Sequence, residues 1–569
     1  MKTPPLRFGI MCEGDTLEAW QASCIRSLLA SQNATLELLI IDGEMPTVES
    51  GKKTSAPAKK TFLQKLLGKY LLYRLYRKLI FRPLSTRMVD MAPEFNGVAR
   101  IACSVIRRGK FSQYFRKEDI ATISDYKLDF ILRFAFGIIR GDVLSAARYG
   151  VWSYHHDDEQ QYRGGPPCFW EIYRDDDVTG AILQRLTEKL DSGIVLKKGY
   201  FSTIKHSYAK NLDAVYFESA RWPAQVCARI RSGSLDPSQL VPSATSAPVY
   251  LSPTNTQIVA SLVKFAWHGV RKLFEECFRH DHWTIGVIEE PIHKLLNAEV
   301  THDISLLPAL PRNNFRADPF ALEMNDKLQI LCEEFDYSDN RGRTRVLAWA
   351  HDSVCTEGEI VFKDSIHQSY PFLFTDNGQI YCVPETNQAH EVRLYEAVVF
   401  PHEWRLKRIL IPDIQAVDST IIKHNNHWWL FCSLQDQGPG YNLFIWHADN
   451  LEGPWLPHHL NPVKTDIHSA RPGGTPFVHE GILYRPAQDC AGQYGRLIVF
   501  NRVTELSVDD FKEEQAAILD PPRQRPYSEG LHTVASAGAY TIVDVKRRMF
   551  IPAAFKHNII DRLRWLMRP

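Results

Sequence analysis

The sequence lacks any run of the roughly 18 consecutive apolar residues that a membrane-spanning helix needs. It also lacks an apolar leader, since it opens with Met1-Lys2-Thr3-Pro4-Pro5 and passes directly into a strand-like segment. Its 11 cysteines include no Cys-x-x-Cys pair, which argues against a zinc site and against a disulfide scaffold. These absences predict a reduced, cytoplasmic protein without a bound metal ion.

An excess of charge of either sign is missing as well. The chain has 67 Lys and Arg against 66 Asp and Glu, a formal net charge of +1. This balance argues against binding through overall basicity, and we expect no nucleic-acid partner. A length of 569 residues exceeds what one hydrophobic core supports. We expect a first domain over 1–246, a linker with a bridging helix over 247–282, and a second domain over 283–569.

The exception to this balance is the segment 51–87, which has eleven Lys or Arg and no Asp or Glu. Within it, residues 66–82 have helical propensity, with one basic face and one aromatic-aliphatic face. Such a helix could lie peripherally on anionic lipid or hold a phosphorylated substrate. We favour an insertion helix packed on its own domain, because membrane-surface helices are a minority among amphipathic helices.

The start of the chain has the pattern of a parallel α/β sheet. A strand over Arg7–Cys12, a helix over Leu17–Leu29 and a strand over Leu36–Ile41 predict a doubly wound, Rossmann-like domain. Two further apolar runs, Phe130–Phe136 and Gly150–Tyr154, are short enough to be buried parallel strands. Ligands of open α/β sheets bind at the carboxyl ends of such strands.

Polar residues gather at the end of the last of these strands. Ser153, His155 and His156 lie at the strand end, and the turn-rich loop 162–167 follows, able to curl around a substrate. Asp191 then lies in a turn that leads into another strand. These residues are the candidates for a site.

Their pattern resembles that of the folate-dependent formyltransferases, which include methionyl-tRNA formyltransferase, glycinamide ribonucleotide formyltransferase and the sugar N-formyltransferases. That family has a strand ending Asn-x-His, a Tyr/Trp-Arg-Gly loop, a Thr-Gly step and an Asp-x-Gly. The matching residues are Ser153-Tyr154-His155, Tyr162-Arg163-Gly164, Thr179-Gly180 and Asp191-Ser192-Gly193. The resemblance covers approximately residues 1–220 and departs at Ser153, where the family has Asn.

The resemblance implies 10-formyltetrahydrofolate as co-substrate, a pterin cradle at Phe136-Gly137-Ile138-Ile139 with Asp191, and an acceptor-binding loop at Tyr162-Arg163-Gly164. Formyl transfer needs an amine that attacks the formyl carbon, a donor to the resulting oxyanion, and an acceptor for the amine proton. His155 suits the donor role, and Asp191 could orient His155 or take the proton. For His155 alone, a hydrogen-bonded strand end would be the plainer interpretation, but the other motifs lie in register with it.

Ser153 leaves three interpretations open. A serine hydroxyl is shorter than the family's amide by about one bond length, and losing one oxyanion donor typically lowers turnover on the order of a hundredfold. Ser153 could act through a bridging water, His156 or a backbone amide could supply the donor, or the domain has lost catalysis.

The second half of the chain repeats a polar turn followed by an apolar strand. The turns are Asn325-Asp326, Asn377-Gly378, Asn425-Asn426 and Glu480-Gly481, with a weaker copy at Lys546-Arg547. Successive turns lie 52, 48, 55 and 66 residues apart. These spacings are close to the length of a four-stranded propeller blade. Five copies predict an all-β, five-bladed propeller rather than an irregular sandwich.

This half resembles the five-bladed domains related to glycoside hydrolase family forty-three and, more closely, the N-terminal domain of plant glucosamine inositolphosphorylceramide transferases. The residues that carry the resemblance include Ala317-Asp318-Pro319-Phe320, Ser369-Tyr370-Pro371-Phe372, Pro384-Glu385-Thr386, Asp418-Ser419-Thr420 and Ala470-Arg471-Pro472-Gly473-Gly474. The resemblance implies that Asp318, Glu385 and Asp418 surround a central funnel, with Arg471 as a further substrate-binding candidate. Binding a sugar and cleaving it stay equally open, because carboxylate separation decides that chemistry.

Together the two resemblances predict a folate-dependent N-formyltransferase that acts on an amino sugar, with a propeller that binds or processes a glycan. The alternative is a glycan-binding or glycan-processing protein whose first domain is a degenerate formyltransferase, as Ser153 suggests. A pure interaction scaffold ranks third.

Overall fold

The computed structural model describes residues 4–43, 68–108, 112–189, 192–297, 302–351, 355–362, 364–523 and 525–566. The chain forms two compact units, Met1–Gly269 and Val270–Pro569. Asp191 and most of the basic segment before residue 68 lie outside the described residues.

The first unit is built from short strands and helices in an alternating order. Its strands are β1 (Leu6–Cys12), β2 (Thr16–Glu18), β3 (Ala34–Asp42), β4 (Met88–Asp90), β5 (Ala99–Cys103), β6 (Val105–Arg108), β7 (Ser112–Phe115), β8 (Phe130–Arg133), β9 (Ile138–Arg140), β10 (Val151–His155), β11 (Arg163–Gly164), β12 (Val178–Arg185), β13 (Ile194–Ser202) and β14 (Val249–Tyr250). Its helices are Ala19–Ala30, Leu71–Leu79, Lys117–Asp125, Trp170–Arg174, Tyr208–Ser219 and Trp222–Ser232, and helix Asn255–Phe278 continues into the second unit.

The central sheet of this unit confirms the predicted doubly wound α/β order. Its seven strands run β13-β12-β10-β8-β1-β3-β5, and the five from β10 to β5 pair in parallel. Strands β12 and β13 add an antiparallel edge that sequence periodicity did not indicate. Phe8, Phe130 and Trp152 stack across β1, β8 and β10, with ring centroids 5.2 and 4.0 Å apart. This buried layer fixes the strand ends that carry the candidate site.

The strand predicted over Phe130–Phe136 ends earlier than expected. β8 stops at Arg133, because Phe136 adopts a left-handed backbone conformation with φ 64° and turns the chain away. The helix predicted from Leu17 begins at Ala19, where the Gln21 side chain accepts a hydrogen bond from the Glu18 backbone N–H at 3.0 Å.

The second unit is almost entirely β. Its strands are β15 (His280–Ile288), β16 (Ser305–Leu306), β17 (Asn314–Met324), β18 (Lys327–Asp336), β19 (Arg341–Trp349), β20 (Thr356–Ile360), β21 (Ser369–Asp376), β22 (Gln379–Glu385), β23 (Glu391–Val399), β24 (Glu403–Pro412), β25 (Ala416–His424), β26 (His427–Leu434), β27 (Asn442–Ala448), β28 (Leu456–Pro457), β29 (Lys464–Thr465), β30 (Phe477–His479), β31 (Ile482–Asp489), β32 (Leu497–Leu506), β33 (Phe511–Leu519), β34 (Val534–Ala537) and β35 (Tyr540–Met549), followed by helix Pro552–Leu566.

These strands form five antiparallel sheets among the described residues. Four sheets follow the chain, as β17 to β20, β21 to β24, β25 to β28 and β30 to β33, with β29 paired to β27. The fifth has the order β16-β15-β35-β34, so it joins the first and last strands of the unit. Each of the first four sheets contributes to cores of large apolar side chains such as Phe320, Phe372, Leu430 and Phe500.

The hairpin turns predicted from sequence are confirmed at four of five places. Both central residues of Asn325-Asp326, Asn377-Gly378 and Asn425-Asn426 have φ between 48° and 79°, and Glu480-Gly481 has φ of 50° and 77°. The fifth turn was misplaced at Lys546-Arg547, which lie inside β35. The turn of that hairpin lies at Gly538, where φ is 66°. Gly538-Ala539 therefore connects β34 and β35, eight residues before the predicted pair.

No helix in the described part of the chain has the length and apolarity needed to cross a membrane. The helix predicted within 66–82 is observed over Leu71–Leu79, and its Tyr73 and Tyr76 are buried.

Candidate functional site

The first candidate site lies at the carboxyl ends of β8 and β10, where Arg133 and Ser153 meet. The Arg133 guanidinium donates hydrogen bonds from Nε and Nη2 to Ser153 Oγ, at 3.2 and 2.8 Å. Its Nη1 donates to the carbonyl oxygens of Phe136 and Gly137, at 3.1 and 2.9 Å. A guanidinium has five N–H groups. Four have partners among the described residues, which leaves one N–H of Nη2 for a ligand.

Burial lowers the pKa of Arg133 from its ordinary value, because a charge in this position loses hydration. A guanidinium nevertheless stays charged at every physiological pH. The site therefore contains a half-buried cation beside the position where the formyltransferase pattern has an Asn. Sequence reasoning missed Arg133 because it lies within the apolar run Phe130–Phe136, which was interpreted as a buried strand.

His155 lies beside Ser153 on β10, and its ring orientation is fixed by a loop carbonyl. Its Nε2 is 3.0 Å from the Tyr162 carbonyl oxygen, which can only accept, so Nε2 carries a proton. In the neutral ring, Nδ1 then keeps its lone pair. Oδ2 of the Asp157 carboxyl group lies 4.0 Å from Nε2.

His156 points the other way, into the apolar layer beneath the sheet. Its ring stacks on Tyr154 at 5.1 Å and meets Trp20 edge-on at 5.0 Å, and its Nε2 contacts Ser219 Oγ at 3.2 Å. Burial and the neighbouring His155 lower the pKa of His156 to about 3, so the ring is neutral. This placement argues against the interpretation in which His156 supplies a donor to an oxyanion.

A buried pair of carboxyl groups, Asp157 and Glu171, lies next to His155. Asp157 accepts a hydrogen bond from the Cys168 backbone N–H at 2.7 Å. Burial, and then the closeness of Glu171, raise the pKa of Asp157 well above its ordinary value, and burial raises that of Glu171 to about 8. Because two like charges cannot both persist in such a site, at least one of the two carboxyl groups holds a proton near neutral pH. No sequence signal pointed to Glu171.

The predicted acceptor loop is held firmly by its own unit. Tyr162 is buried, and its hydroxyl contacts the Asp176 carboxylate. Arg163 Nε donates to the Ala247 carbonyl oxygen at 2.6 Å. Gly164 has φ 92°, and a Cβ there would come within 2.1 Å of the Tyr250 carbonyl oxygen. These side chains stabilise the loop whose carbonyl orients His155.

The predicted pterin cradle forms a turn between β8 and β9. The Phe136 ring packs on Phe115 at 4.9 Å, and the Gly137 backbone N–H donates to Gln113 Oε1 at 2.5 Å. Arg133 occupies one lone pair on the carbonyls of Phe136 and Gly137, and each carbonyl keeps a second. Ile138 and Ile139 begin β9, which pairs with β7. Asp191, assigned both a catalytic and a cradle role from sequence, lies outside the described residues.

The second candidate site lies in the second unit and arises from a bulge repeated in three sheets. The pairing register shifts between Ala317 and Phe320 in β17, between Ser369 and Phe372 in β21, and between Val417 and Thr420 in β25. The corresponding residues with left-handed backbone are Asp318, Tyr370 and Asp418, with φ of 51°, 43° and 52°. Non-glycine residues with such strain concentrate at functional sites.

Asp318 belongs to a triad in which His532 lies between two carboxylates. His532 Nε2 is 3.1 Å from Asp318 Oδ1, and its Nδ1 is 2.8 Å from Asp544 Oδ1. Burial opposes the charge on the ring, but the two carboxylates raise the pKa of His532 to about 10. Burial also opposes ionisation of Asp318, yet the imidazolium and the hydroxyl of Thr533, 2.9 Å away, hold its pKa below the ordinary value.

The same three side chains have the donor set of a metal site, with ligand atoms within 4.8 Å of one another. Both ring nitrogens of His532 are, however, hydrogen-bonded to carboxylates, and Asp544 also accepts from the Asp318 backbone N–H at 2.9 Å. The imidazolium therefore supplies the positive charge of this cluster.

Glu385 and Asp418 form a second carboxyl pair next to the triad. The Asp418 backbone N–H donates to Glu385 Oε2 at 3.2 Å. Arg471 Nε donates to Asp418 Oδ2 at 2.6 Å, and Gln488 Nε2 donates to the same oxygen at 2.8 Å. Burial, and then the Asp418 charge, raise the pKa of Glu385 to about 8, so Glu385 holds a proton at neutral pH. The sequence-predicted residues Asp318, Glu385 and Asp418 are buried within one network, and Arg471 joins it as a partly buried residue. His532 and Asp544 were missed.

The two units define a multidomain protein with an α/β first half and an all-β second half. A sequence profile of the family described as "Glucosamine inositolphosphorylceramide transferase 1, N-terminal" matches residues 299–526. Glucosamine inositolphosphorylceramide transferase 1 of Oryza sativa subsp. japonica is 38% identical over 207 residues, which are 35% of this chain and 28% of that protein. The chain thus spans about a quarter of the length of these relatives.

The remaining comparisons concern the first unit and the fold. Methionyl-tRNA formyltransferase of Prochlorococcus marinus is 37% identical over 83 residues, 14% of this chain and 24% of that enzyme. Among solved structures, the family 117 glycoside hydrolase Zg3597 of Zobellia galactanivorans aligns with a TM-score of 0.30 and 13% identity, over 48% of this chain and 91% of that one.

Proposed function

We propose that the first unit binds 10-formyltetrahydrofolate and transfers its formyl group to the amine of an amino sugar, and that the second unit holds or processes a glycan. The observation that carries the proposal is the convergence of Ser153, His155 and the cation Arg133 at the carboxyl ends of two adjacent parallel strands, where ligands of α/β sheets bind. The partial similarity to methionyl-tRNA formyltransferases supports the same chemistry.

The residues of this site can meet the demands of formyl transfer. When the amine attacks the formyl carbon, negative charge develops on the formyl oxygen, and the bond to the folate nitrogen later breaks. The free Nη2 N–H of Arg133 offers a charged donor in place of the family's Asn, and such bonds are roughly twice as strong as neutral ones. In this proposal His155 uses Nδ1, as acceptor for the amine proton or, once protonated, as a second donor.

The turn at Phe136 and Gly137 would hold the pterin. Each carbonyl has a lone pair left to accept an N–H from a pterin edge, and Arg133 holds both carbonyls in place. When bound, 10-formyltetrahydrofolate supplies the activated formyl group, and this chain supplies the orientation and the charged donor. Asp191 keeps its proposed role as orienting carboxylate.

In the second unit we infer a five-bladed propeller with a carbohydrate site near Asp318, Glu385 and Asp418. Four sheets that follow the chain, and a fifth closed by the first and last strands of the unit, support this architecture. An ionised Asp318 beside a protonated Glu385 is the pairing of carboxyl states that sugar chemistry uses. The relatives that match this half are named for glucosamine, a sugar that carries an amine.

The test uses the purified full chain with 10-formyltetrahydrofolate and a panel of nucleotide-linked amino sugars. We expect release of tetrahydrofolate with at least one acceptor, and folate binding by calorimetry without any acceptor. Replacing His155 or Asp191 with Ala should abolish release while glycan affinity is unchanged, and D318N combined with E385Q should do the reverse. Absence of both turnover and folate binding would remove the proposal.

Ser153 distinguishes an active enzyme from a degenerate one. A larger Asn side chain at position 153 would compete for space with the Arg133 guanidinium, which lies 2.8 Å from Ser153 Oγ. We therefore expect S153N to lower folate turnover. A large gain of activity from near zero would instead favour the alternative function, in which the first unit is a relic beside a glycan-binding second unit.

A further inference from the structure

Helix Asn255–Phe278 has an apolar stripe along its outer side. Val259, Val263, Trp267, Val270 and Phe274 recur at intervals of three or four residues, and between 50% and 64% of each is exposed. That spacing places them on one face of an α-helix. Ile258 and Ser261, on the inner side, are buried. The helix is therefore apolar on the side that faces solvent as well as on the side that faces the protein.

A second helix, Leu71–Leu79, packs against the first part of this one. The Asn255 side chain accepts a hydrogen bond from the Leu72 backbone N–H at 3.0 Å, and the rings of Tyr76 and Phe265 lie 6.5 Å apart. This helix also exposes apolar side chains at its end, with Leu79 and Ile80 exposed by 66% and 63%. The short helix and the first-unit part of the long helix therefore both present large apolar groups to solvent.

Charge along the short helix and its continuation has one sign, whereas Lys264 and His268 of the long helix pair with Asp175. Residues 68–87 contain six Lys or Arg and no Asp or Glu, and the exposed ones include Arg74, Arg77 and Lys78. The long helix likewise has no acidic residue before Glu275. Clusters of exposed apolar residues mark interaction surfaces. A surface that combines a Trp and branched aliphatic residues with basic side chains complements the headgroups and outer acyl region of an anionic bilayer.

We propose that the side chains of Leu79, Ile80, Val259, Val263 and Trp267 form a membrane-binding face that lies on an anionic lipid bilayer. This proposal is independent of the chemistry proposed for either site. A binding surface for another protein could also expose these apolar groups. Such a surface does not explain why every charge along the short helix and its continuation is positive, whereas an anionic bilayer does.

The test is co-sedimentation of the full chain with phosphatidylcholine vesicles, with and without phosphatidylglycerol. We expect binding to the anionic vesicles that weakens as salt is raised. The double change V263E and W267E should lower the partition coefficient at least tenfold. The matched control is V398E with V399E, which alters two residues exposed by 59% and 52% in the second unit and should leave binding unchanged.

Three results would overturn the proposal. The first is that the chain does not bind anionic vesicles. The second is that V398E with V399E loses as much binding as V263E with W267E. The third is that the unaltered chain forms a concentration-dependent dimer and that V263E with W267E is monomeric. The last would show that a second copy of the chain covers the stripe. V263E, W267E, V398E and V399E all change exposed side chains, so circular dichroism should show unchanged folding. R74Q with K78Q is a second variant, which removes charge and leaves the apolar stripe unaltered.

Discussion

Replacing His532 with Gln tests whether the second unit depends on a buried imidazolium. The ring bridges Asp318 and Asp544 through its two nitrogens, at 3.1 and 2.8 Å, and all three side chains are buried. A Gln amide nitrogen can reach one carboxylate but brings no charge, so the other carboxylate loses its partner. Breaking a buried ion pair by removing one member typically costs about 3–5 kcal/mol.

The pKa of His532 gives the same magnitude and predicts a pH dependence. The folded-state pKa is raised from 6.5 to about 10. The stabilisation is therefore fully present below pH 6.5 and is lost as pH rises through about 10. At 1.36 kcal/mol per pKa unit, it amounts to about 4 kcal/mol at pH 7 and about 1–2 kcal/mol at pH 9. The difference between H532Q and the unaltered chain should shrink accordingly.

Hydrogen exchange is the suitable assay, because unfolding of a chain with two units need not be two-state. Amides of β17, β34 and β35 should lose about 3–5 kcal/mol of protection in H532Q at pH 7. The control H402Q changes an exposed histidine of the same unit and should stay within about 0.5 kcal/mol. A loss under about 1 kcal/mol, or one that is as large at pH 9 as at pH 7, would refute a charged His532.

Two further predictions concern buried groups. Because the pKa of Glu171 is raised from 4.5 to about 8, the first unit should lose stability as pH rises from about 4.5 towards 8. E171Q should reduce this loss by about 1.4 kcal/mol per pH unit, measured as amide protection at several pH values. An unchanged dependence on pH in E171Q would contradict the raised pKa. G474A should destabilise the second unit by about 3 kcal/mol or more, because φ is 134° and a Cβ would lie 1.8 Å from the Val534 carbonyl oxygen. Gly378 has φ 79° and open space around it, so G378A should lower the stability of the second unit by only about 1–2 kcal/mol. Equal losses of stability in G474A and G378A would show that the backbone moves to relieve the clash at position 474.

The sequence predicted those parts of the fold that local pattern determines. Alternating strand and helix signals placed β1, β3, β8 and β10, because parallel buried strands are continuously apolar. Turn residues placed four hairpins, because only Gly, Asn and Asp readily adopt φ > 0. The antiparallel edge formed by β12 and β13 has no such signal, since its direction depends on which neighbours the strands pair with.

Residues of the candidate sites could be predicted from the sequence only where they belong to a recognisable short motif. Asp318 and Asp418 follow from short motifs, but the bulges that place them depend on the pairing register of β17 with β18 and of β25 with β26, not on local propensity. His532 and Asp544 come from the end of the chain and reach Asp318 only because β15 pairs with β35. Long-range contacts of this kind leave no trace in a single sequence.

The geometry of Arg133 changes how the departure at Ser153 should be understood. Taken alone, a serine in place of the family's amide is a loss of one donor. In the structure, Ser153 Oγ accepts two hydrogen bonds from Arg133, and the carbonyls of the proposed pterin turn accept two more from the same guanidinium. A small side chain at position 153 is what leaves room for this cation. Ser153 and Arg133 therefore act together: the short Ser153 side chain provides the space, and the Arg133 guanidinium provides the charge.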